Sequence, residues 1–269
     1  MALPGANVML VGATGTGKTY SVRSLLDSGV KEVFILFTEP GMEVVGDISC
    51  DKGLHYHYIP PANAPWTAMI DSAKKINQFD QAALSKLTGI NTKNYAQFIE
   101  VLQCCNNFTC DRCGKEFGDI SSWGTDRAFV LDSLSGLNVM AMDLVVGSKP
   151  VKSMADWGIA MDNLERLIQK LTTDTKCHFV MITHLEREHD EATGSTQLMA
   201  STLGKKLAPR MPRFFSDVVH VVRKGDKFKW STSTLNVDLK ARNLPLSTDL
   251  EPSFKELIAE WLKHGGEII

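Results

Sequence analysis

The chain has 269 residues, 43% hydrophobic and 22% charged, with a formal net charge of −2, which fits one large soluble domain or a domain with a modest insertion. That charge balance excludes a global basic field, so any nucleic-acid site must be a local patch. No apolar run approaches the roughly 20 residues a membrane span needs.

The N-terminus shows no charged stretch followed by an apolar core, so no secretory signal is expected and a reducing cytoplasm is the expected compartment. Short β-type runs then alternate with helical patterns. Residues 7–11 read as a strand, 18–27 as a helix, 33–37 as a strand, and 66–79 and 95–105 as helices. Residues 129–131 read as a strand, 134–146 and 155–172 as helices, and 179–183 as a strand. Residues 218–223 and 228–231 read as two strands joined by the hairpin turn "RKGDKF", and 254–263 as a closing helix. The alternation predicts an α/β fold with a mostly parallel central sheet flanked by helices, a C-terminal antiparallel hairpin and a cysteine-bearing insertion. The expected division is a core over 1–250, with the insertion at about 104–126, and a helical tail over 251–269. The tail helix is amphipathic, and the sequence leaves open whether it packs on its own domain or on a neighbour. Residues 40–65, 104–126 and 185–213 are the least regular, and loops of that length are usually functional or partly disordered.

Residues Gly12-Ala13-Thr14-Gly15-Thr16-Gly17-Lys18-Thr19, followed by Tyr20, match G-x-x-x-x-G-K-[ST] between an apolar strand and a helix. Glycines there let the backbone wrap tightly so that its N–H groups point at phosphate oxygens. Lys18 is expected to reach the terminal phosphates of ATP and Thr19 to ligand Mg²⁺. "AFVLD" is an apolar strand ending in Asp132, the second expected magnesium group. The strand "VFILF" ends at Thr38-Glu39. Ligands gather at the carboxyl ends of parallel strands, so Glu39 is the expected carboxylate that polarises water. Ser133, directly after Asp132, cannot act as a carboxylate base. The plain alternative for Glu39 is a solvent-facing side chain.

The segments "GATGTGKTYSVRSL", "FTEPG", "WGTDRAFVLDSLSGLN", "DWGIAMDNLERLIQKL", "ITHLERE", "TLGKKLAPRMPRFFSDV" and "VDLKARNLP" together give a more specific signal. Over roughly residues 6–246 the sequence resembles the RecA-like ATPases encoded by tailed bacteriophages. That group includes single-strand annealing and recombination ATPases with only the core domain. The resemblance implies an ATP- and Mg²⁺-dependent ATPase that assembles into a ring or filament and acts on single-stranded DNA in recombination, annealing or replication. It makes His184, at the end of "VMITH", a sensor of the γ-phosphate. It makes the stretch after it a DNA-binding loop, whose Lys205, Lys206, Arg210 and Arg213 would neutralise phosphates without reading sequence. It makes Lys240 and Arg242 of "DLKARN" cations supplied to a neighbouring subunit's nucleotide. The plain alternatives are a capping or core histidine, a solvated basic surface and two surface cations.

"LQCCNNFTCDRCGKEFGDI" holds Cys104, Cys105, Cys110 and Cys113. Cys110 and Cys113 form a zinc-knuckle pair, with Cys105 or Cys104 as third ligand and the other cysteine, His55 or His57 as fourth. The competing reading is free or redox-active thiols in a surface hairpin. Cys50 and Cys177 show no partner pattern and read as structural. Tyr56 and Tyr58 read as alternating burial in a strand. The short stretch after the core leaves no room for a helical lid, which argues against an AAA+ protein. Two rival functions are a P-loop small-molecule kinase and a nucleotide-switched scaffold or loader without DNA activity.

Overall fold

The computed structural model describes residues 3–62, 65–87, 95–147, 149–189, 196–204 and 206–269. The strands are β1 (Asn7–Val11), β2 (Glu32–Phe37), β3 (Leu54–Tyr58), β4 (Arg127–Asp132), β5 (His178–Thr183), β6 (Leu185–His189), β7 (Thr196–Ala200), β8 (Asp217–Lys224) and β9 (Lys227–Ser231). The helices are α1 (Lys18–Ser21), α2 (Trp66–Gln78), α3 (Gln81–Ser85), α4 (Gln97–Asn106), α5 (Leu134–Val146), α6 (Met154–Thr173) and α7 (Phe254–Lys263).

Seven strands form one sheet in the order β3-β2-β4-β5-β1-β8-β9. All its pairings are parallel except β8 with β9, which is the expected C-terminal hairpin. Parallel strands need crossover connections, and these place helices on both faces. The central strands are therefore mostly apolar and buried. Because side chains alternate across a strand, Met9, Phe34, Phe129 and Phe179 face a core closed by α4, α5 and α6. Their neighbours Val8, Val33, Val130 and Val180 face the opposite core, closed by Val22, Leu25 and α7. A Ser153–Asp156 capping box starts α6, and its apolar stripe of Leu164, Leu167, Ile168 and Leu171 is buried.

Several elements differ from the sequence reading. The predicted helix over 18–27 is one turn of α-helix followed by a 3₁₀ segment, Val22–Ser28. Within the irregular 40–65 stretch, β3 pairs in parallel with β2 and forms one edge of the sheet. Within 185–213, β6 and β7 form a separate antiparallel pair, followed by the 3₁₀ segment Ala208–Phe214. The cysteine-bearing insertion is no surface hairpin, because Phe108, Ile120 and Trp123 are buried beside Phe34 and Phe129. The closing helix packs on its own domain: Phe254, Leu257, Ile258 and Trp261 are buried, and the Trp261 indole donates to the Pro4 carbonyl at 3.0 Å. Among the described residues, no helix is long and apolar enough to cross a membrane.

Candidate active site

The loop from Gly12 to Thr19 joins the tip of β1 to α1. Gly17 adopts φ +88°, and a Cβ there would lie 2.8 Å from the Phe228 ring on β9. A side chain would be strained and would strike that ring, so glycine is required. The Lys18 ammonium donates to the carbonyls of Gly12 and Ala13, both at 2.8 Å. Thr16 closes the loop by donating to the Ala13 carbonyl at 2.9 Å. Tyr20, largely exposed, stands 6.5 Å from Phe228, ring centre to ring centre, at the mouth of the loop.

Strand β4 brings Asp132 to the same place. The Thr19 hydroxyl donates to its carboxylate at 2.6 Å, so the two residues expected to hold magnesium are in contact. Strand β2, next to β4, delivers Thr38 and Glu39. The buried Thr38 hydroxyl donates to the Ser133 carbonyl at 2.7 Å and accepts from the Ser133 amide at 2.9 Å, locking the two strand tips together. The Asp132–Ser133 peptide is cis. The Ser133 hydroxyl donates to Glu39 at 2.6 Å. Gly136, in the first turn of α5, permits this approach. A Cβ there would lie 2.5 Å from the Thr38 carbonyl oxygen and 3.0 Å from Glu39 Cγ.

His184 follows β5, which lies between β4 and β1. Its ring stands 3.5 Å from the Lys18 ammonium, 3.5 Å from the Thr14 hydroxyl and 3.6 Å from Glu39. Lys18, Thr19, Glu39, Asp132 and His184, separated by up to 166 residues, thus form one cluster at the carboxyl edge of the sheet. Glu39 and His184 side chains are 35% and 31% exposed, so both face the cleft and remain reachable by solvent. Behind His184, its carbonyl accepts from the Ser201 amide at 2.8 Å. The Ser201 hydroxyl donates to Glu186 at 2.6 Å, and Asn138 donates to the Ser201 carbonyl at 3.0 Å. The histidine is therefore wired to both strands of the β6–β7 pair. Sequence reading missed Thr38, Ser133, Gly136 and Ser201 as supports. Adjacency to Glu39 and Asp132 was the only signal for the first two, and Gly136 and Ser201 had none.

The electrostatics are poised for a polyanion and a cation. Burial lowers the Lys18 ammonium to about 8, against the attraction of Asp132 and Glu39. Burial raises Asp132 to about 6, against the Thr19 hydrogen bond and the Lys18 charge. Neighbouring His184 and the Ser133 hydroxyl hold Glu39 below the usual carboxylate range despite partial burial, so it is ionised at neutral pH. For Lys18 the unfolded chain binds more protons between about 8 and 10.5, so this group's contribution to stability rises with pH across that window. For Asp132 the folded chain binds more protons between 3.8 and about 6, so its contribution falls as pH rises through that window. A phosphate at Lys18 and a magnesium ion at Asp132 would relieve both. Mg–ATP binding is therefore expected to be tightest between about pH 6 and 8, weakening up to about tenfold per pH unit outside it. Fluorescence titration with a nucleotide analogue across pH checks this, and a flat profile would contradict it.

The remaining expected residues lie elsewhere. Lys240 pairs with Val218 near the start of β8, its ammonium donating to the Phe215 carbonyl at 2.6 Å. The Arg242 amide donates to Asp217 at 2.8 Å. Both line an open groove of about 520 Å³ with Asn7, Arg213, Trp261 and His264. That is the amino edge of the sheet, one strand length (about 13 Å) from the phosphate loop, so neither cation serves its own chain's loop. In the stretch after β7, Lys206 is exposed and Lys205 lies outside the described residues. Arg210 and Arg213 are not a bare basic surface: both pair with Glu165 of α6, at 3.3 and 2.6 Å. The acid missing from the local sequence comes from another element.

The cysteine grouping also differs from expectation. Cys104 is buried on the inner face of α4 and Cys105 is partly buried beside it. Burial raises the Cys105 thiol to about 12 and raises Cys104 as well. Neither joins Cys110 and Cys113, because the helix turns them towards the apolar core. Cys50 and His55 take their place: the ligand atoms of Cys50, His55, Cys110 and Cys113 all lie within 4.8 Å of one another. This Cys₃His group is compatible with zinc. His57 instead contacts Asp111 at 2.7 Å.

No curated protein gives a significant match to the sequence. A family model described as an AAA domain does match, over residues 5–243. With a phosphate loop, a Walker-type Asp132 and a mostly parallel sheet already in place, that match makes the chain a P-loop ATPase domain belonging to the AAA domain family.

Proposed function

We propose that the protein is an assembly-dependent ATPase of the RecA-like, phage-encoded type, acting on single-stranded DNA in recombination, annealing or replication. The observation that carries the catalytic part is Glu39, ionised, oriented by Ser133 and set between His184 and the Lys18 loop. Gly12–Tyr20 cradle the nucleotide, with Lys18 on its terminal phosphates. Thr19 and Asp132 hold magnesium, which when bound offsets phosphate charge. Glu39 orients the attacking water and His184 answers to the terminal phosphate. Lys240 and Arg242, remote from their own loop, serve a neighbouring subunit across an interface at the amino edge of the sheet.

The DNA surface is the β6–β7 pair and the stretch through Arg213. Its backbone begins at His184 and is tied back to it through Ser201, which couples strand binding to the nucleotide. Lys206 meets phosphate directly, while Arg210 and Arg213 exchange Glu165 for DNA phosphates. The test is steady-state phosphate release with and without single-stranded DNA, beside salt-dependent DNA binding by fluorescence anisotropy. Several-fold stimulation and affinity that falls steeply with salt are expected. The Glu165 pairing favours one rival, a nucleotide-switched loader that recruits proteins. Absence of both DNA binding and stimulation would select it.

A further inference from the structure

We propose that Cys50, His55, Cys110 and Cys113 bind one structural zinc ion that clips the insertion onto the edge strand β3. The ligands come in two pairs from segments about 60 residues apart. Cys110 and Cys113 form a tight knuckle: the Gly114 amide donates to the Cys110 carbonyl at 2.9 Å, and the Cys110 amide to the Lys115 carbonyl at 3.0 Å. Cys50 and His55 flank the entry to β3. The Cys50 and Cys110 sulfurs are 3.8 Å apart, as are the Cys113 sulfur and His55 Nδ1. Tetrahedral zinc with bonds of about 2.3 Å to sulfur and about 2.0 Å to nitrogen places its ligands about 3.6–3.8 Å apart. A disulfide needs about 2.05 Å.

The surroundings are those of a built site. The other ring nitrogen of His55 faces Glu32 at 3.8 Å, so a carboxylate stands behind the histidine as is usual for metal ligands. Its ring lies between Phe34 at 5.1 Å and Phe117 at 4.5 Å. Arg127 and Lys115 sit over the Phe117 ring, and their charge offsets the net negative charge of three thiolates and a histidine on Zn²⁺.

The position assigns the role. An edge strand offers unpaired backbone groups to other chains unless it is covered. Here the knuckle covers β3. The Asp111 amide donates to the Tyr56 carbonyl at 2.9 Å, the Asp111 carboxylate accepts from the Tyr58 amide at 2.7 Å, and Arg112 donates to the carbonyls of Ile48 and Leu54. Glu39 lies five residues beyond Phe34, the β2 partner of His55, or about 16 Å along the strand. The ion is therefore a brace and not part of the catalytic cluster. It closes a loop that includes α2, whose residues are all exposed.

The test is elemental analysis of the purified protein, followed by exchange with Co²⁺ and visible spectroscopy. About one zinc per chain and the intense bands of a tetrahedral cobalt–thiolate site are expected. Cys50→Ser and Cys113→Ser abolish the cobalt bands, Cys104→Ser and Cys105→Ser keep them, and His55→Cys keeps them with a shift to higher sulfur content. Chelation lowers the melting temperature of the wild-type protein by several degrees, and nucleotide affinity measured at low temperature stays within about twofold. Wild-type protein that takes up neither zinc nor cobalt overturns the proposal. So does a Cys105→Ser variant that loses the metal while Cys50→Ser retains it, or a native Cys50–Cys110 disulfide found by mass spectrometry.

Discussion

Glu39→Gln is expected to lower ATP turnover by about 10²–10⁴-fold while leaving Mg–ATP binding intact. The amide oxygen can still accept from the Ser133 hydroxyl, which in the wild type reaches the carboxylate at 2.6 Å, so the β2 tip keeps its place. What is lost is the negative charge that orients water. The ionised state of Glu39 is maintained by His184 and Ser133, so the substitution removes a charge present at neutral pH. Phosphate release at saturating nucleotide, beside nucleotide binding by fluorescence, separates the two effects. Normal turnover in the variant would transfer the role to another group and would undo the RecA-like reading.

The second large effect concerns Lys240 and Arg242. Each faces the amino-edge groove and neither can reach its own loop. If they complete a neighbour's site, Arg242→Ala lowers turnover by about 10³-fold or more, as removal of a trans-acting arginine does. Lys18→Ala abolishes turnover at its own loop. Mixing the two inactive chains is then informative. In an equimolar random assembly, the interface pairing an intact loop with an intact arginine forms in about a quarter of cases, so about a quarter of wild-type turnover returns. Two chains acting independently would restore none. Recovery would establish that the site is shared, and its absence would assign both cations to their own chain's groove.

The cluster was legible because Lys18 and Thr19 belong to the glycine-loop motif, while Asp132, Glu39 and His184 each end or closely follow a locally recognisable strand. Apolar runs ending in Asp132, Glu39 and His184 announce three parallel strands, and the carboxyl ends of parallel strands share one edge. Their supports were not legible, since Ser133 and Gly136 act through contacts with Thr38 and Glu39 that only strand order creates. The β6–β7 pair was hidden because most of its residues are polar and only Ala200 is buried, leaving no clear burial alternation.

By itself the sequence determined the phosphate loop, the parallel α/β core, the terminal hairpin and the acids at the carboxyl edge of the sheet beside that loop. Those depend on short-range patterns: a glycine loop, apolar strands with a polar last residue, and helices with a 3.6-residue stripe. Tertiary structure alone decided which cysteines meet, because α4 turns Cys104 and Cys105 away from the knuckle while β2–β3 pairing carries Cys50 and His55 to it. It also decided that Glu165 restrains Arg210 and Arg213, and that Lys240 and Arg242 face away from their own loop. Each of these joins residues dozens of positions apart, and chain proximity of that kind is written in packing and strand order, not in local sequence.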